Sequence, residues 1–180
     1  MIRLDKQIDF PSKKNDVLAV GELLIDMIST EYDDHFKSNT YTKFFGGSPA
    51  NISLNLKKLG ANSLIASAVG DDDLGKFLIK KVQDAGLDTR YIQQVKYPTS
   101  IVLVTKSKSN PSSIFYRGAD YHLTYTQELE EALKESKIVH FSCWALSKPP
   151  ARRTIEKVIE EAKKVNCLIG FDPNYHPKLW

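Results

Sequence analysis

Hydrophobic and polar residues follow one another along this chain in blocks that predict strands and amphipathic helices in turn. Residues 17–25 form an apolar run that predicts a buried first strand, and the pieces MIST and TYTKFF after it predict a hairpin standing off the main core. Residues 46–59 predict a helix opened by a Gly-Gly-Ser-Pro turn. The same patterns predict the remaining elements, which are a strand at 63–69, a helix at 71–85, a short helix through 134 with Thr124 and Gln127 as a capping box, a strand at 138–144, a helix opened by Pro149 and Pro150, and a strand at 168–171.

The segment from 90 to 117 breaks this alternation, because three β-like runs follow one another without a helix between them. These runs are YIQQV, SIVLVT and SIFYR, and turn residues separate them. Such a pattern favours an antiparallel excursion that pairs with the earlier hairpin. We therefore predict an α/β fold with a mainly parallel sheet flanked by helices and a small antiparallel β lid, its strands within 26–45 and 90–117. One domain spans 17–180 after a polar lead-in at 1–16.

Composition and charge narrow the class of protein. With 42% hydrophobic side chains, 180 residues suffice for one filled core, and a net charge of +3 with interspersed signs argues against nucleic-acid binding. The sequence has no apolar run long enough for a membrane span and no signal-peptide pattern at its start. Cys143 and Cys167 lie in apolar runs, which predicts core residues rather than metal ligands. These features together predict a soluble, cytoplasmic protein.

The segment FFGGSPANISLNLKKLG gives the strongest indication of a ligand-binding site. A Gly-Gly turn entering a helix permits close approach of a ligand, and free N–H groups at the helix start favour oxygen atoms or negative charge. The segment is not a P-loop, since no Gly-Lys-Ser/Thr follows, and no G-x-G-x-x-G supports a dinucleotide fold. Taken alone, the turn fits a ligand site and a plain loop-to-helix junction equally well.

The spacing of residues in this segment resembles the N-terminal signature of the PfkB, or ribokinase-like, carbohydrate kinases. The matching positions are Gly46, Gly47, Pro49, Asn51, Ser53, Gly60 and Gly70. The resemblance continues over Asp26, GDDDLG at 70–75, FYRGAD at 115–120 and FDPNYHPKLW at 171–180. It implies a ribokinase-like fold and ATP-dependent phosphorylation of a sugar hydroxyl.

The resemblance also implies which residues bind the sugar. Gly46, Gly47 and Asn51 are expected to contact it, and Asp26 to accept hydrogen bonds from its hydroxyl groups. The chemistry agrees, because a carboxylate accepts hydrogen bonds from two hydroxyl groups at once and an amide offers both a donor and an acceptor. Two alternatives stay open: Asp26 as a solvated acid at a strand end, and Asn51 as a residue that satisfies the local backbone.

Arg117 and the C-terminal segment extend this predicted site. Strand alternation places Arg117 on the face of Phe115, where its guanidinium would bind a sugar carboxylate or ketose oxygens, the alternative being a surface arginine paired with Asp120. DPNYHPKLW resembles the DPN-x-R-x-x-LW element of fructokinases and 2-keto-3-deoxygluconate kinases, which makes Asn174 a further candidate. His176 stands where those sequences carry arginine, so we predict a neighbour of the substrate or phosphate without a permanent charge.

The implied reaction is in-line transfer of the γ-phosphoryl group of ATP, with Mg²⁺ shielding the phosphates. In the family the proton acceptor lies in a Gly-Ala-Gly-Asp motif, which these 180 residues lack. We therefore assign no catalytic residue, and we expect the chain to be the truncated, sugar-binding part of a kinase and inactive alone.

The FYR segment favours a fructokinase over a 2-keto-3-deoxygluconate kinase. A non-catalytic fragment that binds sugar or another subunit is the alternative from another class, and the family implies a homodimer through the lid.

Overall fold

The computed structural model describes residues 12–108 and 111–180, which form two β-sheets and the helices that cover them. The predicted lead-in at 1–16 lies mostly outside the described residues. The strands are β1 (Asn15–Val20), β2 (Leu24–Tyr32), β3 (Tyr41–Gly46), β4 (Ser63–Gly70), β5 (Ile92–Val95), β6 (Ile101–Lys106), β7 (Ser113–Tyr116), β8 (Ser136–Ser142) and β9 (Leu168–Asp172). The α-helices are α1 (Ser48–Lys58), α2 (Asp73–Asp84), α3 (Gln127–Lys134), α4 (Cys143–Leu146) and α5 (Ala151–Lys164), and short 3₁₀ turns lie at Ala119–His122 and Pro177–Leu179.

The main sheet has the strand order β5-β4-β1-β8-β9, and all of its pairs are parallel. Helices cover both faces, so its central strands are buried on both sides. Leu18 and Val20 join the core under α3 and α5, whereas Ala19 between them joins the core under α1 and α2. The α/β class with a mainly parallel, helix-flanked sheet is therefore confirmed.

The apolar run at 17–25 is not one strand, contrary to the prediction. β1 ends at Val20, and the chain turns at Gly21, whose φ is 150°. A Cβ at this position would collide with the ring of Pro49. The run then re-enters a strand at Leu24 in the second sheet. Both halves are buried, so hydrophobicity alone could not show the break between them.

The second sheet, which we call the lid sheet, has the order β3-β2-β6-β7. The β2–β3 hairpin is antiparallel as predicted, and so is β6–β7, but β2 and β6 are parallel. The prediction of an antiparallel lid is wrong on this point, and the sheet is mixed. The prediction also assigned the YIQQV run to the wrong sheet. This run forms β5 at the edge of the main sheet, where it pairs in parallel with β4. Alternation of side chains reveals a strand but not its partner.

Smaller differences concern the ends of elements. Thr126, not Thr124, caps α3 by accepting a hydrogen bond from the N–H of Leu129, while Thr124 is hydrogen-bonded to Gln93. The strand predicted at 138–144 ends at Ser142, and its last residues turn into α4. Within the described ranges, no helix has the length and apolar character needed to cross a membrane.

Candidate functional site

A cleft of about 240 Å³ lies between the lid sheet and the carboxyl ends of the main-sheet strands. Its polar lining residues are Glu22, Asp26, Ser48, Ser113 and Asn174. Its other lining residues are Leu24, Gly47, Val102, Val104, Phe115 and Trp144. A concavity that combines apolar side chains with a few convergent polar groups is the usual form of a small-molecule site.

The position of the cleft follows from the topology of the main sheet. The chain leaves β1 for β4 on one side, while β8 pairs with β1 on the other, so the strand order reverses at this point. Open α/β sheets bind ligands outside the carboxyl ends of their strands at such a switch point. Glu22 lies just after β1 and Ser142 ends β8, and the Ser142 hydroxyl donates to the Glu22 carboxylate at 3.1 and 3.2 Å.

Asp26 lies in the lid sheet, in a row of otherwise apolar side chains. The strand register aligns Phe44, Asp26, Val102 and Phe115 across β3, β2, β6 and β7, and residues in register share one face. Burial in this row raises the pKa of Asp26 to about 6. No side chain or N–H group of the described residues donates a hydrogen bond to its carboxylate, so both oxygens can accept from a ligand.

The glycine pair is required by two close approaches. A Cβ on Gly46 would collide with Oδ2 of Asp26 and with Leu24. Gly47 has a φ of 106° at the start of α1, and a Cβ there would collide with the carbonyl oxygen of Glu22. The turn therefore packs directly against both carboxyl-bearing residues of the cleft: a side chain at Gly46 would displace the carboxylate of Asp26, and one at Gly47 would collide with the backbone.

Glu22 was not among the predicted site residues. Its side chain is 3% exposed, and Oε1 accepts a hydrogen bond from the N–H of Ser48 at 3.0 Å. Burial raises its pKa to about 7 despite these hydrogen bonds. The sequence did hold a signal, since a charged residue that interrupts an apolar run directly after a glycine needs a specific partner.

The segment after β9 reaches the cleft through Asn174, and His176 follows two residues later. Asn174 lines the cleft with a φ of 31°, and its carbonyl accepts from Sγ of Cys143 at 3.4 Å. His176 makes an edge contact with Phe115, their ring centroids 4.9 Å apart. His176 is not among the lining residues but contacts one of them, and its place beside the substrate or phosphate stays a prediction.

Asn51 and Arg117 lie outside the lining. Asn51 is exposed in α1, and its N–H bonds to the carbonyl of Gly47. Arg117 donates to the carboxylate of Asp120 from Nε at 2.9 Å and from a terminal nitrogen at 2.5 Å. This is the partner named in the alternative interpretation, but the pair is buried rather than at the surface, with side-chain exposures of 12% and 0%.

The described residues do not fit ATP or Mg²⁺. They contain no group of three or more His, Cys, Asp or Glu side chains that could hold a metal ion, and the cleft carries only the two carboxyl groups of Glu22 and Asp26. No glycine-rich phosphate loop accompanies them in the sequence. The chemistry that these residues offer is recognition of hydroxyl groups.

Comparison with known proteins gives one consistent result. The sequence matches the pfkB family carbohydrate kinase profile over residues 14–180. It is 55% identical over 180 residues, all of this chain and 56% of the relative, to an ATP-dependent 6-phosphofructokinase of Thermoanaerobacterium thermosaccharolyticum. It is 33% identical over 171 residues, 92% of this chain and 52% of the relative, to 5-dehydro-2-deoxygluconokinase 2 of Bacillus cereus.

Among solved structures, the fructokinase of Halothermothrix orenii matches with a TM-score of 0.87 at 38% identity, over 92% of this chain and 59% of that one. This match confirms the ribokinase-like fold. The chain spans a little over half the length of the relatives and structures that it matches. The family profile nevertheless covers nearly all of it, and so the chain belongs to the pfkB family of carbohydrate kinases.

Proposed function

We propose that the full-length protein containing this chain transfers the γ-phosphoryl group of ATP to a hydroxyl group of a fructose-type hexose. In this proposal the chain supplies the sugar-binding side of the active site. The observation that carries it is the state of Asp26, a carboxylate partly buried in the cleft, packed against Gly46 and left with free acceptor oxygens. A desolvated acceptor of this kind selects for ligands that donate, because an analogue without hydroxyl groups would leave it unsatisfied.

The residues of the cleft bind and orient the sugar. Asp26 accepts hydrogen bonds from two hydroxyl groups, while Asn174 and Ser48 add an amide and a hydroxyl to the lining. ATP would be the phosphoryl donor and Mg²⁺ would shield its charge, and neither is assigned to a described residue. The sugar oxygen forms a bond to the γ-phosphorus as the bond to the leaving ADP oxygen breaks.

The hydroxyl proton passes to a base outside these residues, since the family places its proton acceptor in a Gly-Ala-Gly-Asp motif that this sequence lacks. For that reason we also propose that the 180-residue chain by itself does not turn over. Asn51 and His176 remain proposed neighbours of the bound substrates.

The charges of the cleft favour a fructose-type acceptor over a sugar acid. Its described lining includes two carboxyl groups and no basic side chain, and the guanidinium of Arg117 is engaged by Asp120. Two relatives are named for fructose-type acceptors, one a 6-phosphofructokinase and one a fructokinase. Sugar acids remain the second candidate, because other relatives are named 5-dehydro-2-deoxygluconokinase.

A coupled assay of ADP release by the full-length protein separates these candidates. The panel holds fructose, fructose 6-phosphate, 2-keto-3-deoxygluconate and 5-dehydro-2-deoxygluconate, each with saturating ATP and Mg²⁺. We expect the highest kcat/KM with one of the two fructose compounds. Turnover confined to the acids would replace the proposed substrate, and no turnover with any of them would leave the non-catalytic, sugar-binding interpretation.

A further inference from the structure

Trp144 stands at the junction of the cleft with a buried polar cluster behind it. It lines the cleft as the second residue of α4, directly after β8. Its indole Nε1–H donates to Oδ2 of Asp120 at 2.7 Å, and its ring meets Phe115 edge-on with centroids 5.3 Å apart. An indole with one end in a cleft and its N–H bonded to a buried carboxylate has a fixed orientation.

Both carboxylate oxygens of Asp120 accept hydrogen bonds from within the protein. Its side chain is fully buried, and Oδ1 accepts from the hydroxyl of Ser100 at 2.5 Å and from the N–H of Gly118 at 3.2 Å. Oδ2 accepts from Arg117 and from Trp144. A buried carboxylate with this many donors has its hydrogen-bonding capacity satisfied, and its position is therefore fixed.

Arg117 completes the cluster by neutralising Asp120. Its other terminal nitrogen donates to the hydroxyl of Ser147 at 2.5 Å, and its guanidinium lies 5.0 Å from the ring of Trp144 and 5.4 Å from that of Tyr121. Reaching a ligand would require Arg117 to leave Asp120 buried with its charge uncompensated, which is strongly unfavourable. The contacts of Arg117 therefore point to a role behind the cleft wall.

We propose that Trp144 is a sugar-contacting residue and that Asp120, neutralised by Arg117, is the positioning residue that fixes its indole. The inference rests on the proposed sugar-binding function and adds the apolar side of the same site. Sugars have apolar C–H faces as well as hydroxyl groups, and Trp144 with Phe115 supplies an aromatic surface in the cleft that the carboxylate of Asp26 also lines. Arg117 acts through Asp120 and Trp144, and so affects neutral and acidic sugars alike.

A double-mutant cycle on the full-length protein tests this arrangement, with the sugar dissociation constant measured by calorimetry so that no turnover is needed. Trp144→Phe keeps a ring but loses the donor, and Asp120→Asn loses the charge that holds the indole. Each is expected to weaken sugar binding about tenfold, and the double variant no more than the stronger single one, because both remove the same contact. Additive losses in the double variant would contradict the positioning role.

Controls separate this inference from general loss of structure and from failure of the proposed function. Trp144→Leu should weaken sugar binding further than Trp144→Phe, with the ATP dissociation constant unchanged. Tyr116→Leu removes an exposed aromatic ring from the same lid strand as Phe115 and should leave both constants unchanged. If the wild-type protein binds no sugar, the proposed function itself fails. If it binds sugar and Trp144→Leu binds equally well, only the inference is wrong.

A further variant, Arg117→Lys, tests the same inference without requiring that the Asp120 variant folds. A positioning role predicts similar losses for fructose and for 2-keto-3-deoxygluconate, because lysine cannot reproduce the paired contacts with Asp120. A loss confined to the acid would show direct contact of Arg117 with a carboxylate and would overturn the inference.

Discussion

At the scale of single residues, the cleft holds two carboxyl groups in different states. Glu22 is buried with its hydrogen bonds made inside the protein, from the Ser48 N–H and the Ser142 hydroxyl. Asp26 is partly buried without such partners. Glu22 therefore fixes the start of α1 against β1 and β8, whereas Asp26 is free for a ligand. We therefore expect the two groups to affect different properties, Glu22 the stability of the fold and Asp26 the binding of sugar.

Glu22 should make stability depend on pH. Its folded-state pKa of about 7 is above the ordinary value of 4.5, so the fold favours the protonated form. The stability contribution is complete below pH 4.5 and is lost as the pH rises through 7. Glu22→Gln keeps the acceptor oxygen without the charge. We expect its free energy of unfolding, relative to wild type, to rise by on the order of 3 kcal/mol between pH 5 and 8, as measured by urea titration.

The matched control for this titration is Glu156→Gln, on the exposed side of α5. Its difference from wild type should stay within about 0.5 kcal/mol at every pH. A difference between Glu22→Gln and wild type that did not change with pH would contradict the buried, protonated state of Glu22.

Asp26 should make sugar binding depend on pH instead. Below its pKa of about 6 the carboxyl is protonated and accepts fewer hydrogen bonds from sugar hydroxyl groups. We expect the KM for the sugar to rise as the pH falls from 7 to 5, with ATP saturating, and Asp26→Asn to lack this rise while binding weakly throughout. Parallel pH profiles for the two proteins would assign the dependence to another group.

At the scale of elements, the lid sheet is positioned by two glycine turns. Gly21 ends β1 and sends the chain into β2, and Gly46 with Gly47 ends β3 and begins α1. Both turns pass along the cleft, so the same backbone that joins the two sheets also forms the proposed sugar site. The hairpin and the glycine turn were predictable because their signals are local.

The pairing of β2 with β6 and the place of β5 were not predictable, because strand partners distant in sequence leave no mark on alternation. The alternation in residues 101–106 predicts a strand, but it does not indicate that the strand pairs in parallel with β2. In the same way, the sequence identified Asp120 as a partner for Arg117 but not their burial, which depends on α4 and the 3₁₀ turn coming together.

Gly46→Ala should damage the site more than the fold. The added methyl group would displace the carboxylate of Asp26, and we expect the KM for the sugar to rise about 100-fold with the KM for ATP unchanged. Gly60→Ala is the control: its φ of 86° makes alanine strained, but nothing lies within 4 Å of the new methyl group. It should lose about 1 kcal/mol of stability and keep the wild-type KM for the sugar. Equal effects of the two changes on sugar KM would show that Gly46 acts only through stability.

At the scale of the whole molecule, the family and the fold class were predictable from the sequence. The spacing of the glycines indicated the family, and the alternation of strands and helices indicated the fold class. The cleft could be predicted only in part. Asp26, Gly47 and Asn174 line it as expected and Gly46 packs against it, whereas Asn51 and Arg117 lie outside the lining. Glu22 and Trp144 emerge only when β1 and β8 are seen to end side by side at the cleft.

The most direct test of the account compares sugar and ATP handling in the full-length protein and its Asp26→Asn variant. With the preferred sugar of the panel, we predict a fall in kcat/KM for the sugar of about 100-fold or more, since a charged acceptor of two hydroxyl groups is lost, and a KM for ATP within about threefold of wild type. Equal losses for the sugar and for ATP would contradict the assignment of this cleft as the sugar site.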